Sequence, residues 1–219
     1  MSTLAHLFSP DANSGNASLT IPRKRTFPAI VGLDPSLTKT GLVVLPQGGG
    51  VPALHRIDSA PIQNGRNAKG KPDATWEDRR VRMSGIVQRV VDAVPDRSLV
   101  FVEAPAYGAS GSGTFDRSGL WWWLHSELVA VECIVIPVSP AQRALYATGK
   151  GGGADAGKDA VIAAVTRRYP WADVRDNNVA DALVLAAMAS RAAGVPLEEV
   201  MPLANLKALD KLDLSQLDA

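Results

Sequence analysis

The stretch AIVGLDPSLTKTGLVVL, residues 29–45, decides the fold of this chain. Two apolar runs flank a short polar break, which is the pattern of two β-strands joined in a hairpin. The first strand ends on a carboxylate, Asp34, and Pro35 follows it. Two chemistries use a hairpin of this shape: its backbone cradles the phosphates of ATP, or its aspartate holds a metal ion against a phosphodiester. The hairpin alone leaves both open.

Composition predicts one sizeable core with tails. The chain has 219 residues, of which 46% are hydrophobic and 21% charged, values that are ordinary for a globular protein. No apolar run reaches the roughly 18 residues that span a bilayer, and the N-terminal residues lack a signal-peptide pattern. The single cysteine, Cys133, lies in an apolar run and fits a reducing compartment. We therefore expect a cytoplasmic protein without membrane contact.

The net charge is informative only when it is divided along the chain. The whole chain is +1, and residues 196–219 have five acids against two lysines, a net of −3. The remainder is therefore +4, the difference between those two values. This mildly basic balance is compatible with a nucleic acid partner and equally with an ordinary mixed surface.

Three regions are predicted along the chain. Residues 1–26 are rich in Ser, Asn, Pro and Ala and end in a basic cluster, which indicates a flexible arm that either touches phosphates or aids solubility. Residues 27–193 form the predicted domain. Residues 194–219 are an acidic tail with leucines spaced for a short amphipathic helix over 203–209. The tail could dock on the domain, on a second subunit or on another protein.

The domain has the element order β-β-β-α-β-α-β-α-α-α. After the hairpin we predict a strand near 52–59, a helix from an Asp73 N-cap to 94, a strand in SLVFVEAP, a helix over 115–131, a strand in CIVIPV, a short helix from Pro140, and helices over 157–169 and 177–192. A meander followed by strand–helix alternation predicts an α/β fold, a mixed five-stranded sheet with helices on both faces. No internal repeat is visible, which weighs against a kinase built from duplicated halves.

Three carboxylates lie at the ends of buried elements. Asp34 ends the first strand, Glu103 ends the fourth, and Asp181 lies on the apolar last helix. Buried carboxylates are costly unless something compensates them. Hard cations take oxygen ligands, and two Mg²⁺ ions about 4 Å apart can activate a water and stabilise a departing oxygen. Singly, each acid has an ordinary alternative as a turn cap or an ion-pair partner.

The segments IVGLDPSLTKTGLVVL, VFVEAP and DNNVADALVLAAM resemble, in order and separation, the three signature segments of the RuvC family of Holliday junction resolvases. The resemblance covers roughly residues 28–193. VSPAQRALYATGKGG and AGKDAVIAAV are similar to that family's Pro-x-Gln helix and the segment with its functional lysine. The resemblance implies an RNase H-like fold and a homodimer that cuts four-way DNA junctions with Mg²⁺ or Mn²⁺, two ions per site, in a bacterium or a phage host.

The same resemblance implies four catalytic residues: Asp34, Glu103 and Asp181 as metal ligands, and Lys158 as the lysine that neutralises charge on the phosphate. The family usually has an aspartate three positions before Asp181, where this chain has Asn178. An amide oxygen ligates a hard cation without adding charge, so either metal affinity is lower or Asp176, otherwise a helix N-cap, supplies the charge.

Basic and aromatic residues near these segments are the predicted DNA contacts. Tyr107 lies where the family presents an aromatic to junction bases, although covering the core edge is an equal alternative. The family's basic residue in the Pro-x-Gln helix is out of register, since position 144 is Ala and Arg143 stands beside it. The remaining predicted contacts are Lys150 and the helix arginines Arg79 and Arg80, which with Arg82 are expected to be exposed.

Two further patterns need separate interpretation. GGADAGKD, residues 152–159, fits the opening of a P-loop, but Asp159 stands where Ser or Thr must hold Mg²⁺ and a helix, not a strand, precedes it. We interpret it as a loop that delivers Lys158 and expect no nucleotide cofactor. The run LWWWLHSEL places Trp121, Trp122 and Trp123 around most of one helix. They predict a dimer interface, with core packing as the alternative.

The predicted function is thus a metal-dependent, structure-selective DNA endonuclease that uses in-line attack by an activated water and leaves 5′-phosphate and 3′-hydroxyl ends. One alternative is a non-cleaving junction-binding protein, which the neutral Asn178 would suit. Another is an ATPase or kinase of the actin-like superfamily. That class needs a second phosphate loop and an adenosine motif, and the sequence shows neither.

Overall fold

The computed structural model describes residues 25–59, 74–105 and 113–217. Its strands are β1 (Ala29–Asp34), β2 (Lys39–Pro46), β3 (Ala53–Asp58), β4 (Leu99–Glu103) and β5 (Ile134–Val138). Its helices are α1 (Trp76–Ala93), α2 (Thr114–Ala130), α3 (Pro140–Thr148), α4 (Lys158–Arg168), α5 (Asn177–Ala192) and α6 (Leu203–Leu206). The predicted α/β class and element order are confirmed, with α6 following the last predicted helix of the domain.

The five strands form one mixed sheet in the order β3-β2-β1-β4-β5. β1 to β3 are an antiparallel meander, while β4 and β5 run parallel to β1. Leu33 of β1 is opposite Val102 of β4, so the next residues along, Asp34 and Glu103, leave the sheet side by side. The register therefore places two of the three predicted carboxylates at one edge.

Helices cover both faces, as predicted. The alternation along β1 sends Ile30 to the face covered by α3, α4 and α5, and Val31 and Leu33 to the face covered by α1 and α2. α5 is buried from Val179 to Ser190, which explains why its sequence is apolar on all sides.

Two strand glycines let α5 lie directly on the sheet. A Cβ atom at Gly32 would be 1.9 Å from the carbonyl oxygen of Ala182, and one at Gly41 would be 2.0 Å from that of Asn178. Gly41 is the cross-strand partner of Asp34. This close approach sets the first turns of α5 over the end of β1, where Asp34 lies.

α1 begins two residues later than the sequence suggested. Thr75 is its N-cap: the Asp78 amide donates to Thr75 Oγ1 over 3.1 Å, and the Thr75 amide donates to Asp78 Oδ2 over 2.8 Å. The prediction of Asp73 as the cap was wrong, because this Thr-x-x-Asp capping box satisfies the first amides of the helix. Asp73 itself lies outside the described residues.

The C-terminal segment docks on the body, one of the three alternatives that the sequence left open. Glu198 is buried, and its carboxylate accepts hydrogen bonds from Tyr169 Oη, from Tyr146 Oη (3.1 Å) and from Arg191 Nη2 (2.9 Å). Asn205 Nδ2 donates to the carbonyl oxygen of Tyr146 over 2.8 Å. These hydrogen bonds hold the segment against α3 and α5.

The leucines of this segment follow the amphipathic prediction only in part. Leu206 and Leu209 pack against the core, but Leu203 is exposed and α6 has only four residues. Among the described helices, none is long and apolar enough to cross a bilayer.

Candidate active site

The structure brings Asp34, Glu103 and Asp181 together at one edge of the sheet. Asp34 and Glu103 come from neighbouring strands, and Asp181 comes from the second turn of α5 above them. Asp34 is 8% exposed and Asp181 is 5% exposed, while the Glu103 side chain is 19% exposed. Three acids so deeply set need compensation from a cation or from protons.

Arg143 supplies part of that compensation. Its Nε donates to Glu103 Oε2 and its Nη1 donates to Asp181 Oδ1, so one guanidinium bridges the two carboxylates. The Arg143 side chain is only 11% exposed. Burial by itself lowers the pKa of Arg143, but the adjacent Glu103 and Asp181 outweigh this and raise it above the usual value. The guanidinium therefore stays charged.

The start of α3 aims Arg143 at the carboxylates. Ser139 and Gln142 form a capping box, in which the Gln142 amide donates to Ser139 Oγ over 3.2 Å and the Ser139 amide donates to Gln142 Oε1 over 3.0 Å. Pro140 occupies the first turn. The glutamine of the Pro-x-Gln pattern thus caps the helix and fixes the direction in which the next residue, Arg143, leaves it.

The aspartates of the cluster are hard to ionise. Burial raises the pKa of Asp34 well above its usual value, and the charges of Glu103 and Asp181 raise it further, whereas Arg143 and Lys158 lower it. Burial also raises the pKa of Asp181 to about 7, against the opposing effect of Arg143. One arginine therefore does not fully compensate three carboxylates, and an additional cation would stabilise the charged cluster.

Lys158 is the first residue of α4 and is exposed. Its charge acts on both Asp34 and Asp181, lowering their pKa values, so the lysine lies within electrostatic range of the cluster. The glycine-rich segment before it follows α3, a helix, as the sequence predicted.

The donor atoms suit a hard divalent cation, since Asp34, Glu103 and Asp181 offer only oxygens. Their spacing is not that of a preformed metal cage. Within the described residues, no three His, Cys, Asp or Glu side chains are grouped closely enough to hold a metal ion. In this arrangement the Arg143 guanidinium contacts both Glu103 and Asp181.

The two additional metal ligands predicted on α5 have backbone roles. Asp176 is the N-cap of α5, accepts a hydrogen bond from the Asn178 amide over 2.9 Å, and pairs with Arg56 at 3.5 Å. Asn178 contributes its carbonyl to the close contact with Gly41. Asp176 therefore keeps the ordinary function that the sequence allowed, a helix cap, whether or not it also binds metal.

The predicted basic DNA contacts fall into different environments. Arg79 is half-buried against Asp116 at 3.4 Å, and Arg82 donates to the carbonyl oxygen of Leu37 in the β1–β2 turn. The expectation that both are exposed was wrong, because α2 and the hairpin turn pack against this side of α1. Arg80 is exposed, as expected, and pairs with Glu77.

The other three predicted DNA contacts are Lys150, Arg143 and Tyr107. Lys150 is exposed and pairs with Asp155. Arg143 is directed inward to the carboxylates instead of outward. Tyr107 lies outside the described residues.

The three tryptophans of α2 also separate. Trp121 is buried, and its Nε1 donates to the carbonyl oxygen of Glu103 over 2.9 Å, which steadies the end of β4. Trp123 is half-buried and donates to Glu127 over 3.1 Å. Trp122 is 62% exposed. Of these three tryptophans, Trp122 therefore has the most exposed side chain.

A cleft opens beside the carboxylates and includes residues that the sequence did not single out. It has a volume of about 280 Å³ and is lined by Asp34, Glu103, Arg117, Ser118 and other residues of the same edge. Arg117 is exposed on the first turn of α2. The position of Arg117 in the sequence could have indicated this. α2 follows β4, and the helix after a strand begins near the edge of the sheet where that strand ends.

No sequence pattern indicated the exposed aromatic pair at the starts of α1 and α2. Trp76 is the first residue of α1 and Phe115 the second of α2. Their side chains are 75% and 76% exposed and meet edge to face, with ring centroids 6.4 Å apart. Arg79 lies 5.1 Å from the Trp76 ring. Their adjacency depends on the packing of two helices, which no local pattern reports.

No protein-family model matches the sequence, and no curated protein is significantly similar to it. Solved structures do match. A structure of Thermus thermophilus RuvC has a TM-score of 0.54 and 18% identity, covering 76% of this chain and 97% of that chain. The structure of T. thermophilus RuvC in complex with Holliday junction substrate has a TM-score of 0.52 and 17% identity, covering 76% and 96%. At these identities the likeness shows the fold alone: this chain has the RNase H-like fold of RuvC, as predicted.

Proposed function

We propose that the protein is a divalent-metal-dependent endonuclease that acts on branched DNA, four-way junctions foremost. The observation behind the proposal is the convergence of Asp34, Glu103 and Asp181 at one edge of a RuvC-like sheet. One structural neighbour is a RuvC bound to a Holliday junction substrate, which supports branched DNA as the substrate class.

The three carboxylates would hold Mg²⁺ or Mn²⁺. When bound, the metal supplies an activated water and stabilises charge on the departing oxygen. Lys158 would offer positive charge to the scissile phosphate from the first turn of α4. Arg117, at the mouth of the cleft, would contact a neighbouring phosphate.

The remaining predicted DNA contacts belong to the same proposal. Arg80 and Lys150 are exposed cations whose surface ion pairs are weak enough to be exchanged for phosphates. Tyr107 would stack on a base at the junction. A homodimer with Trp122 at its interface would present two active sites to two strands, in the cytoplasm of a bacterium or of a phage host.

A specific observation opposes the ATP-binding alternative. In the β1–β2 turn the Ser36 amide donates to Thr40 Oγ1 over 3.0 Å, and the Thr38 amide donates to Ser36 Oγ over 3.3 Å. An ATP cradle needs such amides free for phosphate oxygens. Here the hairpin satisfies them itself, which favours Asp34 as a metal ligand over the turn as a phosphate cradle.

The alternative of a non-cleaving junction binder also has an observation in its favour. Arg143 already pairs with Glu103 and Asp181, and Asn178 adds no charge. Such a protein would bind junctions without needing a metal. Cleavage assays separate the two proposals.

The test is incubation of the full chain with end-labelled four-way junctions and with linear duplex of the same sequence, in Mg²⁺, Mn²⁺ or EDTA. The proposal expects nicking of the junction only with metal, with 5′-phosphate and 3′-hydroxyl ends, and much less nicking of the duplex. Tight junction binding without nicking in any metal would favour the non-cleaving alternative. ATP hydrolysis would revive the ATPase alternative.

A further inference from the structure

A second groove, here named the α4 groove, runs along α4 between the end of α3 and the C-terminal segment. It has a volume of about 620 Å³. Thr148 and Lys150 line it from the end of α3 and the loop that follows, and Pro202 and Asn205 line it from the C-terminal segment. These last two residues lie beyond residues 28–193, the stretch that resembles the RuvC family. One wall of the groove is therefore an addition to the part of the chain that the resemblance covers.

The charged lining of the α4 groove is mostly basic, with three cations and one acid: Lys150, Arg167, Arg168 and Asp155. Lys158 and Asp159, at the start of α4, add one charge of each sign. The pair of Lys150 with Asp155 is exposed on both sides, so it is weak enough to be exchanged for another anion. Arg167 is exposed, and no salt bridge of the described residues involves it. The groove therefore suits a ligand with several negative charges.

The walls of the α4 groove are fixed to one another at a single carbonyl. Tyr146, in the last turn of α3, has a carbonyl oxygen that accepts hydrogen bonds from Asn205 Nδ2 over 2.8 Å and from Arg168 Nη1 over 3.4 Å. Helix carbonyls at this position need partners from outside the helix. A Cβ atom at Gly149, the C-cap of α3, would lie 3.3 Å from Asn205 Oδ1. The groove is thus formed by the packing of α3, α4 and the C-terminal segment.

The floor of the α4 groove is made of small side chains. Ala160, Ala163 and Ala164 line it, and Arg167 follows them on the same face of α4. Alanine projects only a methyl group, so a bulky chain can lie close to the helix beside the basic residues.

The α4 groove is also continuous with the carboxylate edge. Lys158 begins α4 and acts electrostatically on Asp34 and Asp181. Arg167 is nine residues further along the helix, about 14 Å at 1.5 Å per residue. A DNA strand rises 3.4 Å per nucleotide, so these two cations are spaced for phosphates about four nucleotides apart.

We propose that the α4 groove holds the sugar–phosphate backbone of one DNA arm, with Arg167 and Lys150 contacting phosphates about four nucleotides from the bond that is cut. The inference rests on the proposed function for DNA as the ligand, and it adds a second contact surface that the C-terminal segment helps to build. An acidic protein segment is the other ligand that the charge would admit, but the small-residue floor and the continuity with the carboxylate edge favour DNA.

The test is fluorescence anisotropy of a labelled four-way junction with the full chain in EDTA, at salt concentrations from 50 to 200 mM. Arg167→Gln is expected to weaken binding roughly 10-fold at 0.1 M salt and to lower the slope of log affinity against log salt by about 0.9, the value of one phosphate contact. Arg167→Lys keeps the charge and is expected to keep the slope. Lys150→Gln is expected to lose less, because Lys150 must first leave Asp155. Arg97→Gln is the matched control, since Arg97 is exposed before β4, at the opposite edge of the sheet from Glu103, and no change is expected.

A scan of single neutral methylphosphonates along one arm then locates the contact. One position is expected to weaken wild type and to leave Arg167→Gln unaffected, which is the coupling that a direct contact gives. Unchanged affinity and slope in both Arg167→Gln and Lys150→Gln, with a wild type that binds the junction, would overturn this inference alone and favour a protein ligand. A wild type that binds no junction would overturn it together with the proposed DNA substrate. The expected losses of affinity without cleavage in any metal would support it and count against the nuclease.

Discussion

Gly32 of β1 lies directly beneath Ala182 of α5, so close that a Cβ atom at Gly32 would be 1.9 Å from the Ala182 carbonyl oxygen. Asp181 is the residue before Ala182, and Asp34 is two residues after Gly32. The same helix–strand contact that closes the core therefore brings the two aspartates together.

Gly32→Ala is expected to lower the free energy of unfolding by about 3 kcal/mol or more, because backbone atoms of α5 must move to admit the methyl group. The displacement would also separate Asp181 from Asp34 and weaken Mn²⁺ binding. Urea denaturation and Mn²⁺ titration measure the two effects. Gly85→Ala is the control: Gly85 lies exposed on α1 with open space around its Cβ position, and it is expected to be neutral or stabilising by up to about 1 kcal/mol. Equal stability of the two variants would contradict the close contact.

Arg143→Gln is expected to destabilise the metal-free protein by about 3–5 kcal/mol at pH 8, since Glu103 and Asp181 are then left buried without their partner. At pH 5 the loss is expected to be smaller, because protonation of Asp181 removes part of the uncompensated charge. Urea denaturation of wild type and Arg143→Gln in EDTA at the two pH values measures this loss of unfolding free energy. A loss that is the same at pH 5 and pH 8 would show that Arg143 stabilises by packing and not by charge.

The metal-free protein is expected to lose stability as the pH rises through 7. Burial raises the pKa of Asp181 in the folded state to about 7 from an ordinary value of 3.8. Between these two pKa values the folded state therefore binds more protons than the unfolded state. The protonated Asp181 contributes roughly 4 kcal/mol to the free energy of unfolding below about pH 4, and this contribution is lost by pH 7–8. Asp181→Asn removes this proton and should flatten the profile. Identical pH profiles of unfolding for the two proteins in EDTA would contradict the raised pKa.

Glu198→Gln is expected to cost about 3–5 kcal/mol of unfolding free energy, because Arg191 then loses its buried partner and the bonds from Tyr146 and Tyr169 weaken. The exposed neighbour Glu199 provides the control, and Glu199→Gln is expected to change stability by less than about 0.5 kcal/mol. Thermal and urea denaturation measure the stability of the two variants. If the two variants were equally stable, the C-terminal segment would not be anchored by Glu198.

The sequence predicted most of the fold, because its signals are local. Strand alternation, the apolar α5 and the turn residues are each visible within a short window, and the acid ends of β1 and β4 pointed to one sheet edge. The pairing of Leu33 with Val102 then places Asp34 and Glu103 side by side. The misplaced start of α1 has a local cause, since Thr75 and Asp78 form a capping box that competed with Asp73.

The environment of the site was less predictable, because it depends on contacts between distant segments. Arg143 is 40 residues from Glu103 and 38 from Asp181, and nothing in the helix sequence distinguishes an inward arginine from a DNA-facing one. Arg79 likewise meets Asp116 only because α1 packs on α2. Such pairs become visible only once the helices are packed.

Asp34→Asn tests the central claim most directly, since it changes one buried oxygen donor and leaves the Arg143 pairs in place. DNA affinity is compared first, in EDTA with a labelled four-way junction, and is expected to match wild type. Cleavage in Mg²⁺ or Mn²⁺ is then measured at saturating protein. The account predicts a loss of more than about 100-fold, since even the outer partners of metal ligands are worth roughly 10–100-fold. Metal-dependent cleavage at the wild-type rate by Asp34→Asn would contradict it.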